Sequence, residues 1–281
     1  MITLIHLIHA KLFLFVSLKL NRWKYFISAV NDNDLELIEF LIIHGINVNT
    51  KLENGRMLLM EFIIERKNIE VIKLLIKYGA DVNIKDGNEI SLLHQATMTG
   101  QYETTKLLIE NGAEIDARDK YKYTPLIKML SIMNAPDINI VKILLEHGAD
   151  VNAKNEFEWT PLHWASTKNC SNIVKLLLEN GAKIDARDKF GDTPLHIATI
   201  YNNINVVRTL IENEIDVNIK NNYGMTVLHE ASNDGHIEIV KLLLENGANI
   251  KVQNNEGETP LDLAKMKKFN KIIELLENIE Y

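Results

Sequence analysis

Four histidines, His94, His163, His196 and His229, are the side chains best equipped to hold a metal or move a proton. Each stands three places after a Ser or Thr, in the phrases SLLH, TPLH, TPLH and TVLH, and the last three are spaced by 33 residues. That places them at equivalent points of successive segments. If the segments stack at helix-packing distance, neighbouring imidazoles stand roughly 10 Å apart, whereas zinc draws its ligands to about 2 Å. A shared metal is not expected. Asp116 with Asp185, or Asp188 with Asp192, would be the paired acids of general acid–base chemistry. They recur with the same period in polar loop positions, where a solvated carboxylate is the expected state. Cys170 is the only cysteine, so no intramolecular disulfide forms, and it has no evident base partner. No glycine-rich phosphate loop is present. The expectation is a protein that is not an enzyme, with no cofactor, no metal and no small-molecule substrate.

The period leads back to the elements that carry these residues. Met57, Ser91, Thr124, Thr160, Thr193, Thr226 and Thr259 share one slot, with steps of 34, 33, 36, 33, 33 and 33 residues. A second mark keeps the same step: Gly45, Gly79, Gly112, Gly148, Gly181 and Gly247, with Glu214 in the place between the last two. Two marks in register over the chain signal a repeat architecture.

Each repeat has a physical reading. Thr caps a helix by accepting a free amide of the first turn. Pro125, Pro161, Pro194 and Pro260 follow it at the position where a missing N–H costs nothing. A short first helix contains small residues such as Ala96, Ala165, Ala198 and Ala231, and a polar break such as Asn233–Gly235 turns the chain. The second helix has stripes such as Ile173, Val174 and Leu176–Leu178, a wide apolar face at helical period. The glycine ends it as a left-handed cap. One such helix pair cannot enclose its own apolar face, so neighbouring copies must supply the other wall. The fourth copy has about three extra residues near Ser131–Asp137, read as a longer turn.

The 281 residues are 46% apolar and 25% charged, within globular limits. The net charge of −7 argues against nucleic acid as a partner. The absence of disulfides fits a reducing intracellular compartment. Residues 1–19 are unusually apolar, with Lys11 and Lys19 flanking a run that is short of the about 20 residues a membrane helix needs. They read either as an apolar cap on the next repeat, the preferred reading, or as a targeting or membrane-contact segment. In the latter case residues 1–20 would anchor a membrane-associated protein.

The phrases GDTPLHIA (191–198), EWTPLHWA (158–165), IVKLLLENGA (173–182 and 239–248) and GADVN (79–83 and 148–152) resemble the ankyrin repeat family over about residues 20–281. The resemblance implies an all-α solenoid of stacked helix–turn–helix repeats joined by β-hairpin-like loops. The approximate repeats are 20–51, 52–85, 86–118, 119–154, 155–187, 188–220, 221–253 and 254–281, after a leader at 1–19. It also implies that the repeated histidines bond hairpin backbone across the repeat boundary. Asn49, Asn83, Asn152 and Asn218 fall where the family's asparagines are hydroxylated in animal cells; the plain alternative is a hydrogen-bonding turn residue.

Repeated positions serve folding, so recognition is expected where copies differ. Tyr121, Phe157, Phe190 and Tyr223 fall in register at the expected hairpin tips, with Tyr123 and Trp159 two residues on. Trp164, Ile197, Ile200 and Tyr201 fall in slots that the family exposes on its concave side. These ten residues form the expected partner-binding surface of a monomeric interaction scaffold, and loop packing is the competing reading of the tip aromatics. Lys122 and Glu158 replace the glycine that Gly191, Gly224 and Gly257 hold in the same slot, and a Lys122–Glu158 pair is one reason to expect them there. The partner is an unidentified protein. Abundant Ile, Asn and Lys fit an AT-rich coding sequence of the kind found in intracellular bacteria and large viruses, where such arrays act on host cells.

Overall fold

The computed structural model describes residues 22–278. The leader readings for residues 1–20 fall outside that range. The chain divides into two compact bodies, Met1–Glu114 and Ile115–Tyr281.

In the first body, helix α1 covers 22–32 and pairs in sequence with α2 (Leu35–Ile43). Two further pairs follow: α3 (Leu58–Ile64) with α4 (Ile69–Lys77), and α5 (Leu92–Met98) with α6 (Tyr102–Glu110). Phe26, Ile38, Leu41, Leu58, Ile63, Ile72, Leu75, Leu92 and Leu108 are fully buried between them. The second body holds five pairs. They are α7 (Pro125–Ile132) and α8 (Ile138–Glu146), α9 (Pro161–Ser166) and α10 (Ser171–Glu179), α11 (Pro194–Ile200) and α12 (Ile204–Glu212), α13 (Val227–Asp234) and α14 (Ile237–Glu245), and α15 (Pro260–Lys267) and α16 (Asn270–Glu277). First helices pack on first helices and second on second, α9 on α11 on α13 on α15 and α10 on α12 on α14 on α16. The apolar stripes therefore close against the next copy, the arrangement that helix pairs without a core of their own require. Among the described residues there are no strands, only isolated antiparallel bridges at Lys51–Met57 and Lys85–Ser91.

Local signals explain most element ends. The hydroxyls of Ser91, Thr124, Thr160 and Thr259 accept the backbone N–H three residues on. At the other end, Gly181 N–H donates to Leu178 O at 3.0 Å and Ala182 N–H to Leu177 O at 3.0 Å, a two-bond left-handed cap. Two boundaries differ from the sequence reading. Helix α13 continues through Asn233 to Asp234, and only Gly235 (φ +79°) turns the chain. Helix α7 likewise runs to Ile132, so the longer turn is 133–137 rather than beginning at Ser131.

Asparagines join consecutive repeats within each body. Asn83 donates from Nδ2 to Gly112 O at 3.0 Å and accepts Glu114 N–H at 2.8 Å. Asn152 does the same with Gly181 O and Lys183 N, and Asn218 with Gly247 O and Asn249 N.

No helix among the described residues is long and apolar enough to cross a membrane.

Candidate functional site

All ten candidate contact residues lie in the second body. The hairpins that hold the tip residues are built by one side chain each. The Oδ1 atoms of Asp119, Asn155, Asp188 and Asn221 accept the N–H groups two and four residues on, at 2.8–3.0 Å. Asp188 is consequently buried, not a solvated carboxylate as its loop position implied. The residue after each tip aromatic adopts positive φ, whether glycine (Gly191, +77°; Gly224, +74°) or not (Lys122, +62°; Glu158, +64°). The Lys122–Glu158 pair does not form. Glu158 is paired with Lys154 at 3.0 Å, which holds its carboxyl below the usual range.

Neighbouring tips are tied through the main chain. Glu156 N–H donates to Tyr121 O at 3.2 Å, Lys189 to Phe157 O at 3.3 Å, Asn222 to Phe190 O at 3.0 Å and Asn255 to Tyr223 O at 3.0 Å. These links hold Tyr121, Phe157, Phe190 and Tyr223 in a row with exposures of 44, 47, 52 and 56%. The Nζ of Lys189 lies 5.9 Å over the Phe157 ring.

Behind the tips, Tyr123, Trp159 and Trp164 form a part-buried aromatic cluster. The ring centroids of Trp159 and Trp164 are 4.7 Å apart, and those of Tyr123 and Trp164 6.1 Å. The Trp159 indole donates to Asp188 Oδ2 of the next hairpin at 2.9 Å. Burial raises the Tyr123 phenol above its ordinary value, and Lys128 sits 4.9 Å over its ring while pairing with Asp119. Trp159 and Tyr123 thus have packing roles as well as accessible edges. Ile200 and Tyr201 are exposed at 37 and 55% at the end of α11. Ile197 is not: it is only 4% exposed and belongs to the core, so its place on an accessible face is corrected. Helix α11 packs closely between α9 and α13, which covers a side chain as short as Ile197.

The repeated histidines are fully engaged. His163 Nδ1 accepts Thr160 N–H at 3.2 Å and its Nε2 reaches Asp192 O at 3.1 Å; His229 bonds Thr226 and Glu258 O in the same way. Burial pushes His163 and His196 down to about 4, so both are neutral. Neither nitrogen is left for a metal or a substrate proton. Cys170 stands at the start of α10, where burial raises its thiol, the wrong direction for a nucleophile.

One group was not singled out by sequence. Glu230 occupies the slot that holds Trp164 and Ile197 in the preceding repeats. Burial, with the charges of Asp192 and Asp234, raises its carboxyl to about 7. Sequence carried no clear signal for it, since the same slot holds Glu61, Gln95 and Lys128 in earlier repeats.

Comparison with known proteins agrees with this geometry. The family described as ankyrin repeats (3 copies) matches residues 26–119, 93–188 and 128–221, and that described as ankyrin repeats (many copies) matches 201–264. Among solved structures, the chain is similar to the human ASB11 ankyrin repeat domain at 30% identity, covering 80% of this chain and 100% of that one with a TM-score of 0.71. It is similar to the ankyrin repeat domain of Bcl-3, a member of the IkappaB protein family, at 28% identity, 80% and 99% coverage and a TM-score of 0.69. The ankyrin repeat protein EF0377 matches at 28% identity, 67% and 97% coverage and a TM-score of 0.62. No curated protein sequence matches the chain. Domains of this kind are generally protein-binding modules and typically non-catalytic. Stacked helix pairs, threonine–histidine caps and tied hairpins meet in one conclusion: the chain belongs to the ankyrin repeat family.

Proposed function

We propose that the chain is an interaction scaffold that engages one partner protein through the tip row Tyr121, Phe157, Phe190 and Tyr223 and the adjoining first-helix face with Trp164, Ile200 and Tyr201. Tyr123 and Trp159 support that face from behind. The observation that supports this reading is the half-exposure of four aromatic rings on four consecutive tips. Large stiff rings held at fixed spacing give contact area at little conformational cost, the property of interface anchors. The net charge of −7 favours a protein over a nucleic acid as that partner.

The test is affinity capture from a native lysate with the wild-type chain, and with a Tyr121→Ala/Phe157→Ala/Tyr201→Ala/Tyr223→Ala variant. All four side chains are exposed, so the variant keeps its fold, which circular dichroism checks. A partner bound by the wild type and lost by the variant supports the site. A partner retained by the folded variant rejects it.

A further inference from the structure

On the first-helix face of the repeats 188–220 and 221–253, three positions that are aromatic in an earlier repeat hold acids. Three slots show the change. The hairpin position of Trp159 becomes Asp192 one repeat on. The helix position of Trp164 and Ile197 becomes Glu230. The position of Tyr201, at the end of α11, becomes Asp234 at the end of α13.

No cation answers these carboxylates. Among the described residues none of Asp192, Glu230 and Asp234 has an ion pair. Asp192 accepts only the amide of Asn221 at 2.9 Å, and Asp234 that of Asn233 at 2.8 Å. Lys267 and Lys268, at the end of α15, form no ion pair with the three acids, and most other basic side chains of the elements packed nearby are occupied. Lys220 donates to Gln253 O and Arg187 to Lys220 O. Lys241 on α14 pairs with Glu238 and Lys265 on α15 with Glu277. The acid on α15, Asp262, is held by Thr259. Helix α11 has no charged residue apart from the neutral, buried His196.

Resting on the scaffold reading above, we infer that this face takes a partner segment that presents a lysine or arginine to Asp192, Glu230 and Asp234 beside an aliphatic or aromatic side chain laid on Ile200 and Tyr201. Charge complementarity selects the occupant. A half-buried carboxylate beside two others is destabilised alone and is relieved by a cation held at hydrogen-bonding distance. The adjoining apolar surface supplies the contact area that an exposed ion pair lacks. The acids acting on Glu230 are Asp192 and Asp234, and Asp188 acts in turn on Asp192. Glu230 is raised to about 7 by burial and these charges, so it is more fully ionised at pH 8 than at pH 6, and the cation binds tighter at the higher pH.

A random twelve-residue peptide library displayed on phage and selected on the full chain tests this. Peptides carrying Lys or Arg next to Leu, Ile or an aromatic residue are expected. Their affinity should fall at least tenfold in a Glu230→Gln/Asp234→Asn variant, fall from pH 8 to pH 6, and survive the tip variant Tyr121→Ala/Phe157→Ala/Tyr223→Ala, which keeps Tyr201. Glu230→Gln removes repulsion, so the fold is kept. As a second variant, Glu230→Lys supplies the cation from within and should abolish the selection of basic peptides. Three outcomes overturn the inference: enriched peptides without basic residues, basic peptides indifferent to the double variant, and no enrichment over an unrelated repeat array. Neutral peptides that bind the wild type but are lost on the tip variant would leave the scaffold reading standing and remove this one alone.

Discussion

The imidazole of His196 reaches the carbonyl of Met225, 29 residues further along, with Nε2 at 3.2 Å from the oxygen. Its Nδ1 accepts Thr193 N–H at 3.3 Å, which fixes the tautomer with the proton on Nε2. One side chain thereby caps its own helix and holds the next hairpin.

This arrangement makes the array acid-sensitive. In the folded chain His163 and His196 lie at about 4 because burial disfavours the cation. In the unfolded chain a histidine titrates at about 6.5. The unfolded state therefore takes protons first as pH falls. Stability from these two groups is complete above about 6.5 and is lost between there and about 4, by up to about 3 kcal/mol each. Urea midpoints at pH 7, 5.5 and 4.5 should fall in that order, and His196→Gln should flatten the slope while lowering the value at pH 7.

Glu230 acts with the opposite sign. Its folded carboxyl lies at about 7 against an ordinary 4.5, so the folded state holds the proton more tightly. Its penalty is absent at low pH and grows as pH rises from 4.5 through 7. Glu230→Gln should raise stability at pH 8 by on the order of 1–2 kcal/mol, with solvent screening allowed for, and leave it unchanged at pH 4. Melting curves at the two pH values check this.

Glu214 holds a left-handed position (φ +65°) that six other second helices, α2, α4, α6, α8, α10 and α14, give to glycine. The capping bond from the following residue, Ile215 N–H to Leu210 O, is 3.4 Å, against 3.0 Å for Ala182 to Leu177. Glu214→Gly should stabilise the chain by about 1 kcal/mol. An unchanged or lowered melting midpoint would refute the cost assigned to that backbone.

Asp116 takes the place of the bridging asparagines. It accepts Asp150 N–H at 3.0 Å, but a carboxylate has no N–H to give the glycine carbonyl that Asn152 reaches at 2.9 Å. Asp116→Asn should add about 1 kcal/mol, and Asn152→Ala, which removes two bonds, should cost about 2 kcal/mol. Chemical denaturation of the two variants should show opposite signs.

Gly191 and Gly257 share a slot but not a penalty. A Cβ at Gly191 would lie 2.4 Å from Asn222 Oδ1 and 2.8 Å from its backbone N, whereas at Gly257 it meets nothing within 4 Å. Gly257→Ala should cost only the left-handed term, roughly 1 kcal/mol. Gly191→Ala should cost clearly more and part the Asn222 N–H from Phe190 O, read as faster amide exchange at Asn222.

What was legible in the sequence was local or periodic. Thr160 and Pro161 announce a helix start because capping and the proline ring act within one turn. Gly181 announces its end because only the backbone there demands left-handed φ. The histidine roles followed from the repeat. The rest depends on side chains about thirty residues away. Ile197 looked accessible because a slot in a repeat does not tell how closely adjacent first helices pack. Asp188 looked solvated because its two backbone donors and the Trp159 indole become neighbours only once the hairpins fold. The state of Glu230 was hidden for the same reason: a pair of acids on one helix is ordinary, and the same pair met by Asp192 from the preceding repeat is not.

The main-chain bonds between neighbouring hairpins, such as Asn222 N–H to Phe190 O, are indifferent to which side chain the tip presents. Replacing the ring at a tip leaves the rung beneath it intact. Such a molecule can acquire a new binding vocabulary one letter at a time, since its grammar is kept elsewhere.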